Sequence, residues 1–347
     1  MPLRDIVGHR APLALLSRAV GRSALPQSLL FTGPDGVGKK LAAMAMAQLL
    51  NCAARIERPT PHLEVDACGT CSACRRIVAL SHPDVVLVPP NPSVEAAREV
   101  MQAAAYRPFE GRRRVFVLDE ADSMSAAVQN AWLKTLEEPP STSHFLLVTA
   151  RPDLLLATVR SRCPSLRFGR LPIDEVVRLL GERHGMAPAA ARIAAFAADG
   201  SLGRALADAS DVGTATRALV EGVVGAATDA RGPEQRLRLA AQLLDATDTR
   251  PRGRGKAQGR SAAASERELL GERLEVLGAT LRDLSVVAAG GDERFMAHAP
   301  SADTLAVARR WGAARLTQAF AAVGRAREAL DRNTSPKVVA DWLALQL

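Results

Sequence analysis

Three groups of side chains in this 347-residue chain stand at spacings that can do chemistry. The first is Gly33-Pro34-Asp35-Gly36-Val37-Gly38-Lys39-Lys40. Gly33, Gly36 and Gly38 let backbone N–H groups converge on phosphate oxygens at a helix N-terminus, and Lys39 supplies a point charge to the β- and γ-phosphates. A phosphate loop that works with magnesium continues with Ser or Thr, whose hydroxyl ligates the metal. Lys40 stands in that place. An ammonium has no lone pair to offer a metal and repels it. The sequence therefore predicts ATP/Mg²⁺ binding that is weak or absent, and impaired hydrolysis.

The second group follows the apolar run Val115-Phe116-Val117-Leu118, which ends in Asp119-Glu120-Ala121-Asp122. In a working ATPase the first acid holds magnesium through water and the second is the general base. Asp119 and Glu120 keep both roles available, Glu120 as a potential or vestigial base, although the hydroxyl ligand is gone. The competing reading is a pair of acids capping the next helix. The letters D-E-A-D also occur in helicases, but no other helicase block follows in order.

The third group is Cys52, Cys68, Cys71 and Cys74, spaced C-x15-C-x2-C-x2-C. Three thiols fall on a tight turn around Gly69-Thr70 and the fourth comes from just beyond the phosphate-loop helix. Four thiolates satisfy tetrahedral Zn²⁺ and leave no open position, so the expected metal is structural. A redox role and reduced, unliganded thiols are the alternatives. His62 and His82 are spare ligands by type, each read as an ordinary surface residue. Cys163 stands alone beside a strand and reads as buried filler.

These groups need elements to position them. Ser28–Thr32, Val85–Val88, Arg114–Leu118 and Phe145–Thr149 are continuous apolar runs, the kind buried on both faces of a parallel sheet. Amphipathic stretches over 11–21, 39–50, 93–105 and 126–137 alternate with them, which predicts an α/β sheet with helices on both faces. After Pro172 the strand signal stops. Short helices are expected over 173–185, 187–198 and 202–209, then a longer helical block from 214 to 347. The domains so read are an α/β domain over 1–168 carrying the cysteine module 52–74, a helical lid over 169–210, and an all-α domain over 211–347. An Arg-, Gly- and Ser-rich insertion over 249–264 reads as mobile.

Composition narrows the class. Hydrophobic residues at 48% and charged residues at 24% describe a globular chain. No apolar run approaches the roughly 20 residues that span a bilayer, and Met1–Arg10 lacks a signal-peptide core, so no membrane partner and a cytoplasmic location are expected. The net charge is +8, but Arg250, Arg252, Arg254, Lys256 and Arg260 supply five of those charges. What remains is too little to argue DNA binding by itself, and 3% aromatic residues make a base-stacking surface improbable. The basic 250–260 stretch reads as a solvated linker, with phosphate contact as its sharper alternative.

The order of motifs is similar to one family. The phosphate loop, the four-cysteine insertion, the acidic strand end, Asn130-Ala131-Trp132-Leu133-Lys134-Thr135-Leu136-Glu137-Glu138-Pro139-Pro140 and Ser161-Arg162-Cys163 follow one another as in the bacterial DNA polymerase III clamp-loader AAA+ proteins. The resemblance covers about residues 1–210, with a last helix over 333–347 like that of the family's collar. It implies a P-loop AAA+ fold, a lid and an oligomerising collar. It also implies that the segment from Asn130 lies near primer-template DNA, that Thr149 senses the γ-phosphate, and that Arg162 is an arginine finger acting in trans on a neighbour's ATP site. In the second sensor, Asp199-Gly200-Ser201-Leu202-Gly203-Arg204, Gly203 takes the place of the motor subunits' arginine. Arg204 sits one residue later, about 100° around a helix.

Lys40 and Gly203 thus depart from the family at the chain's own nucleotide site while Arg162 is kept. Within the family this combination resembles the delta-prime accessory type. Its implied partners are the gamma/tau motor subunits, the delta subunit, primer-template DNA and, indirectly, the sliding clamp, with polymerising chemistry in another subunit. An ATP-hydrolysing gamma/tau-type motor and a stand-alone DNA-binding module are the competing readings.

Overall fold

The apolar runs pair side by side in the computed structural model, which describes residues 1–245, 262–291, 296, 302–332 and 334–347. The strands are β1 (Ser28–Thr32), β2 (Ile56–Thr60), β3 (Leu63–Asp66), β4 (Val85–Val88), β5 (Arg114–Leu118), β6 (Ser143–Thr149) and β7 (Ser165–Arg167). Five of them form one sheet in the order β4-β5-β6-β1-β7, every pair parallel. Helices α1 (Arg10–Gly21), α2 (Lys39–Asn51), α3 (Ser72–Val78), α4 (Val94–Ala105), α5 (Ala126–Glu137) and α6 (Ala157–Arg160) complete the unit Met1–Pro172.

Successive strand residues point to opposite faces, and the cores divide accordingly. Leu29, Phe31, Val115, Val117, Leu146 and Val148 pack with α1, α2 and α3. Leu30, Phe116, Leu118, Phe145 and Leu147 pack with α4, α5 and α6. Burial on both faces is why these strands are apolar throughout. Phe145 stacks on Phe116 at 5.3 Å, and Trp132 of α5 meets Phe145 edge-on at 5.6 Å. Ser93 and Ser125 start α4 and α5 by accepting the N–H groups of Ala96 and Val128.

The unit Ile173–Leu347 has helices and no strand among its described residues. It contains α7 (Ile173–His184), α8 (Pro188–Ala197), α9 (Leu202–Asp208), α10 (Asp211–Asp229), α11 (Pro233–Leu244), α12 (Ala262–Ala288), α13 (Ala302–Asp331) and α14 (Pro336–Gln346). Its core gathers leucines of α12 with Trp311, Leu316 and Val323 of α13 and with Val339 and Leu343 of α14. Of the insertion expected over 249–264, residues 249–261, and with them the basic stretch, lie outside the described residues, and Ala262 opens α12.

The sequence missed five strands and helices of the first unit: β2, β3, α3, the four-residue α6 and β7. β2 and β3 form an antiparallel ribbon, and α3 follows it. The first two are short and mostly polar, without the apolar runs that marked the main strands. β7 has only three residues on the sheet's edge, two of them exposed. His82, expected at the surface, is only 4% exposed. Its Nδ1 accepts the N–H of Asp84 at 3.2 Å, so the ring is held in the chain's interior.

Candidate functional site

Because every strand of the main sheet runs the same way, the carboxyl ends of β1, β5 and β6 lie along one edge. Thr32 is paired with Thr149, and Leu118 with Leu147. Ligands of open α/β sheets bind beyond that edge. From it come Gly33, Asp119 and the loop after Thr149.

The turn out of β1 admits only glycine at its first position. Gly33 has φ 139°, and a Cβ there would lie 1.9 Å from the Phe168 carbonyl oxygen. Gly36 and Gly38 also have positive φ, and α2 begins after Gly38 with no side-chain cap. His9, which the sequence did not single out, braces the loop with its Nε2 2.7 Å from the Val37 carbonyl oxygen. Lys39 is 5% exposed and donates to the carbonyls of Gly33 and Pro34, both at 2.6 Å. Burial holds its pKa below that of an ordinary lysine, against the pull of Asp35, Asp122 and Asp119.

Lys40 turns to the end of β5. Its Nζ lies 2.8 Å from Asp119 Oδ2, in a pair whose carboxylate side is 16% exposed. This donor set does not fit a P-loop magnesium: where a hydroxyl would ligate the metal, an ammonium grips the carboxylate that would help to hold it. Glu120 is in the left-handed region, φ 49°, opening a short 3₁₀ turn without capping it through its side chain. Thr149 donates from Oγ1 to Asp122 Oδ1 at 2.6 Å, and Arg151 Nε reaches the other oxygen at 3.0 Å. The sequence reading passed over Asp122 and Arg151. An acid two residues beyond Glu120 and an arginine two beyond Thr149 were the available signals.

Arg162 is engaged elsewhere. It follows α6, donates from Nη1 to the Thr158 carbonyl at 3.0 Å, and pairs through Nη2 with Glu137 at 3.0 Å. Its side chain is 29% exposed and that of Glu137 59%. Gly203 and Arg204 belong to α9 in the second unit, where Arg204 interacts electrostatically with Asp208.

The four cysteines do converge. Cys52, Cys68, Cys71 and Cys74 place their sulfurs within 4.8 Å of one another. Sulfurs bonded to zinc at about 2.3 Å in a tetrahedron are about 3.8 Å apart, so the cluster fits that metal. The backbone aims amides at the sulfurs: Cys68 N–H donates to Cys52 Sγ at 3.2 Å, and Cys71 N–H to Cys68 Sγ at 3.3 Å. Cys71 also caps α3 by accepting the N–H of Cys74. Burial pushes all four thiols up. At Cys68 the amides of Cys71 and Thr70 overcome it and bring the thiol down to about 6. The amides of Cys74 and Ala53 likewise lower Cys71, whereas Cys52 and Cys74 stay above the ordinary value. Cys163 is buried, 2% exposed, and burial lifts its thiol to about 12.

Residues 8–172 match the family model described as DNA polymerase III, delta subunit. The tau subunit of DNA polymerase III from Salmonella typhimurium is 33% identical over 258 residues, covering 71% of this chain and 38% of that protein. The delta' subunit from Pseudomonas aeruginosa is 34% identical over 155 residues, 43% of this chain and 45% of that one. The chain thus spans less than half the length of these relatives. A gamma subunit-related protein of Thermotoga maritima superposes with a TM-score of 0.44 at 14% identity, over 95% of this chain and 96% of that chain. Among the described residues no helix is long and apolar enough to cross a membrane. The family match and these relatives thus support a DNA polymerase III clamp-loader AAA+ affiliation, carried by residues 8–172 with their sheet, phosphate loop and motif order.

Proposed function

We propose that this chain is a delta-prime-type accessory subunit of the clamp loader. In this reading it works in the cytoplasm beside gamma/tau motors and the delta subunit, helps place the sliding clamp on primer-template DNA, and hydrolyses little or no ATP itself. The observation that carries the proposal is the Lys40–Asp119 ion pair, which sets an ammonium against the acid that would hold magnesium. Arg162, by contrast, keeps a partly exposed guanidinium that a neighbour's nucleotide can draw from Glu137. A guanidinium set against the transferring phosphoryl group stabilises the charge spreading over its oxygens. In the neighbour's site that is the work of Arg162. Cys52, Cys68, Cys71 and Cys74 would hold a structural zinc that ties the end of α2 to the ribbon and α3.

The test is a loader reconstituted with Arg162→Ala. Assembly stays intact, and turnover at the one site that Arg162 faces falls by about 10³-fold or more. Full stimulated turnover in that loader would overturn the proposal. A gamma/tau-type motor is the second reading, favoured by the identity to tau subunits over 258 residues. It requires magnesium-dependent turnover by the purified chain that disappears in Lys39→Ala.

A further inference from the structure

We infer that the phosphate loop takes a nucleoside polyphosphate without a divalent cation, the Lys40 ammonium sitting in the cation's seat. This rests on reading Gly33–Lys39 as a phosphate loop and is independent of the role given to Arg162.

In a P-loop the metal lies between the phosphates and an acid at the end of a neighbouring strand, and it neutralises both. Lys40 Nζ already lies 2.8 Å from that acid, Asp119, at the start of the same helix that presents its N-terminus to the loop. Asp119 is shielded, 16% exposed, so water weakens the pair less than it would on an open surface. A divalent ion ligated by Asp119 would sit within hydrogen-bond range of a positive charge that, although its side chain is half exposed, is tethered to α2 and cannot diffuse away. Like charges that close disfavour the ion, whereas the phosphates of a metal-free nucleotide are drawn to the same ammonium.

The rest of the loop is formed for anions. Lys39 is 5% exposed, and the two carbonyls it now contacts are weaker partners than a phosphate oxygen. Of the other acids at this edge, Asp122 is spoken for by Thr149 and Arg151, so it does not replace Asp119 as a metal ligand, and Glu120 opens the left-handed turn that follows Asp119. Nucleotide held this way lacks the Lewis acid that hydrolysis uses, and it stays intact.

The experiment is equilibrium dialysis of the full chain against radiolabelled ATP, with magnesium or with EDTA. The wild type binds with dissociation constants that agree within about twofold in the two buffers. Lys40→Thr restores the hydroxyl and frees Asp119, so its binding becomes at least about tenfold tighter in magnesium than in EDTA. Lys40→Met loses affinity in EDTA and gains none from magnesium. Circular dichroism checks that both variants fold, and the wild-type comparison decides even if they do not. Wild-type binding that needs magnesium, no wild-type binding in either buffer, or a folded Lys40→Thr indifferent to magnesium would each overturn the inference. None of these results changes the Arg162→Ala test: wild-type binding that needs magnesium would count against both proposals, whereas no binding in either buffer overturns this inference alone and full turnover in the Arg162→Ala loader overturns the accessory role alone.

Discussion

His144 sits on β6 with 5% of its surface exposed, and its Nδ1 has no hydrogen-bond partner. Burial pushes its pKa down to about 4, while in the unfolded chain it titrates near 6.5. Between those values the unfolded state binds a proton that the native state refuses, so stability falls as pH drops through the window. From pH 7.5 to pH 5 the loss due to this ring is about 2 kcal/mol. Urea unfolding of His144→Phe should show a pH slope shallower by that amount, and an equal slope would refute the assignment. At the same scale, the identity of Lys40 was legible in the sequence as a misfit to the metal. Its ion pair was not, because Asp119 is 79 positions away and only the register of three strands brings it near. Thr149 likewise read as free to sense phosphate, whereas its hydroxyl is committed to Asp122.

The loop between α4 and β5 shows how a buried acid organises an element. Asp84, fully buried, accepts the N–H groups of Phe109, Glu110 and Gly111 at 2.7, 2.9 and 2.7 Å. Asn51 Oδ1 accepts those of Arg112 and Arg113, both at 2.9 Å. Burial pushes the Asp84 carboxyl up, but the three amides outweigh it and hold the group below the usual carboxylate range. Its contribution is therefore full above about pH 4 and is lost as pH falls through the depressed native value. Asp84→Ala leaves three amides to find new partners and should cost about 3 kcal/mol or more, with Asp84→Asn costing less. Equal unfolding free energies for the two variants would count against this account. The cysteine module is the other element to test. Metal analysis of the purified chain should find one equivalent of zinc, and Cys74→Ser should lose it and lower the melting temperature. A chain that is metal-free as purified would dismiss the zinc. The cysteine spacing announced this cluster, but β2 and β3 went unread because no stripe of apolar residues marks so short a ribbon.

At the scale of the molecule, the division at Pro172–Ile173 separates a sheet with two cores from an all-helical unit with its own core. Each core is built from its own unit's residues, so fragments 1–172 and 173–347 should each unfold cooperatively in urea. A fragment 1–172 that showed no transition would refute this independence. The layered α/β plan of the first unit was readable from four apolar runs alternating with amphipathic helices, whereas nothing in the apolar pattern gave the strand order. That order has a consequence during synthesis. β1 emerges early, yet both of its neighbours, β6 and β7, lie more than a hundred residues downstream. A ribosome adding about 5–20 residues per second leaves Leu29, Leu30 and Phe31 without their lateral partners for roughly 5 to 25 seconds. Newborn copies of this chain therefore pass through an interval of sticky, half-made sheet, the kind of exposed apolar segment that chaperones shelter.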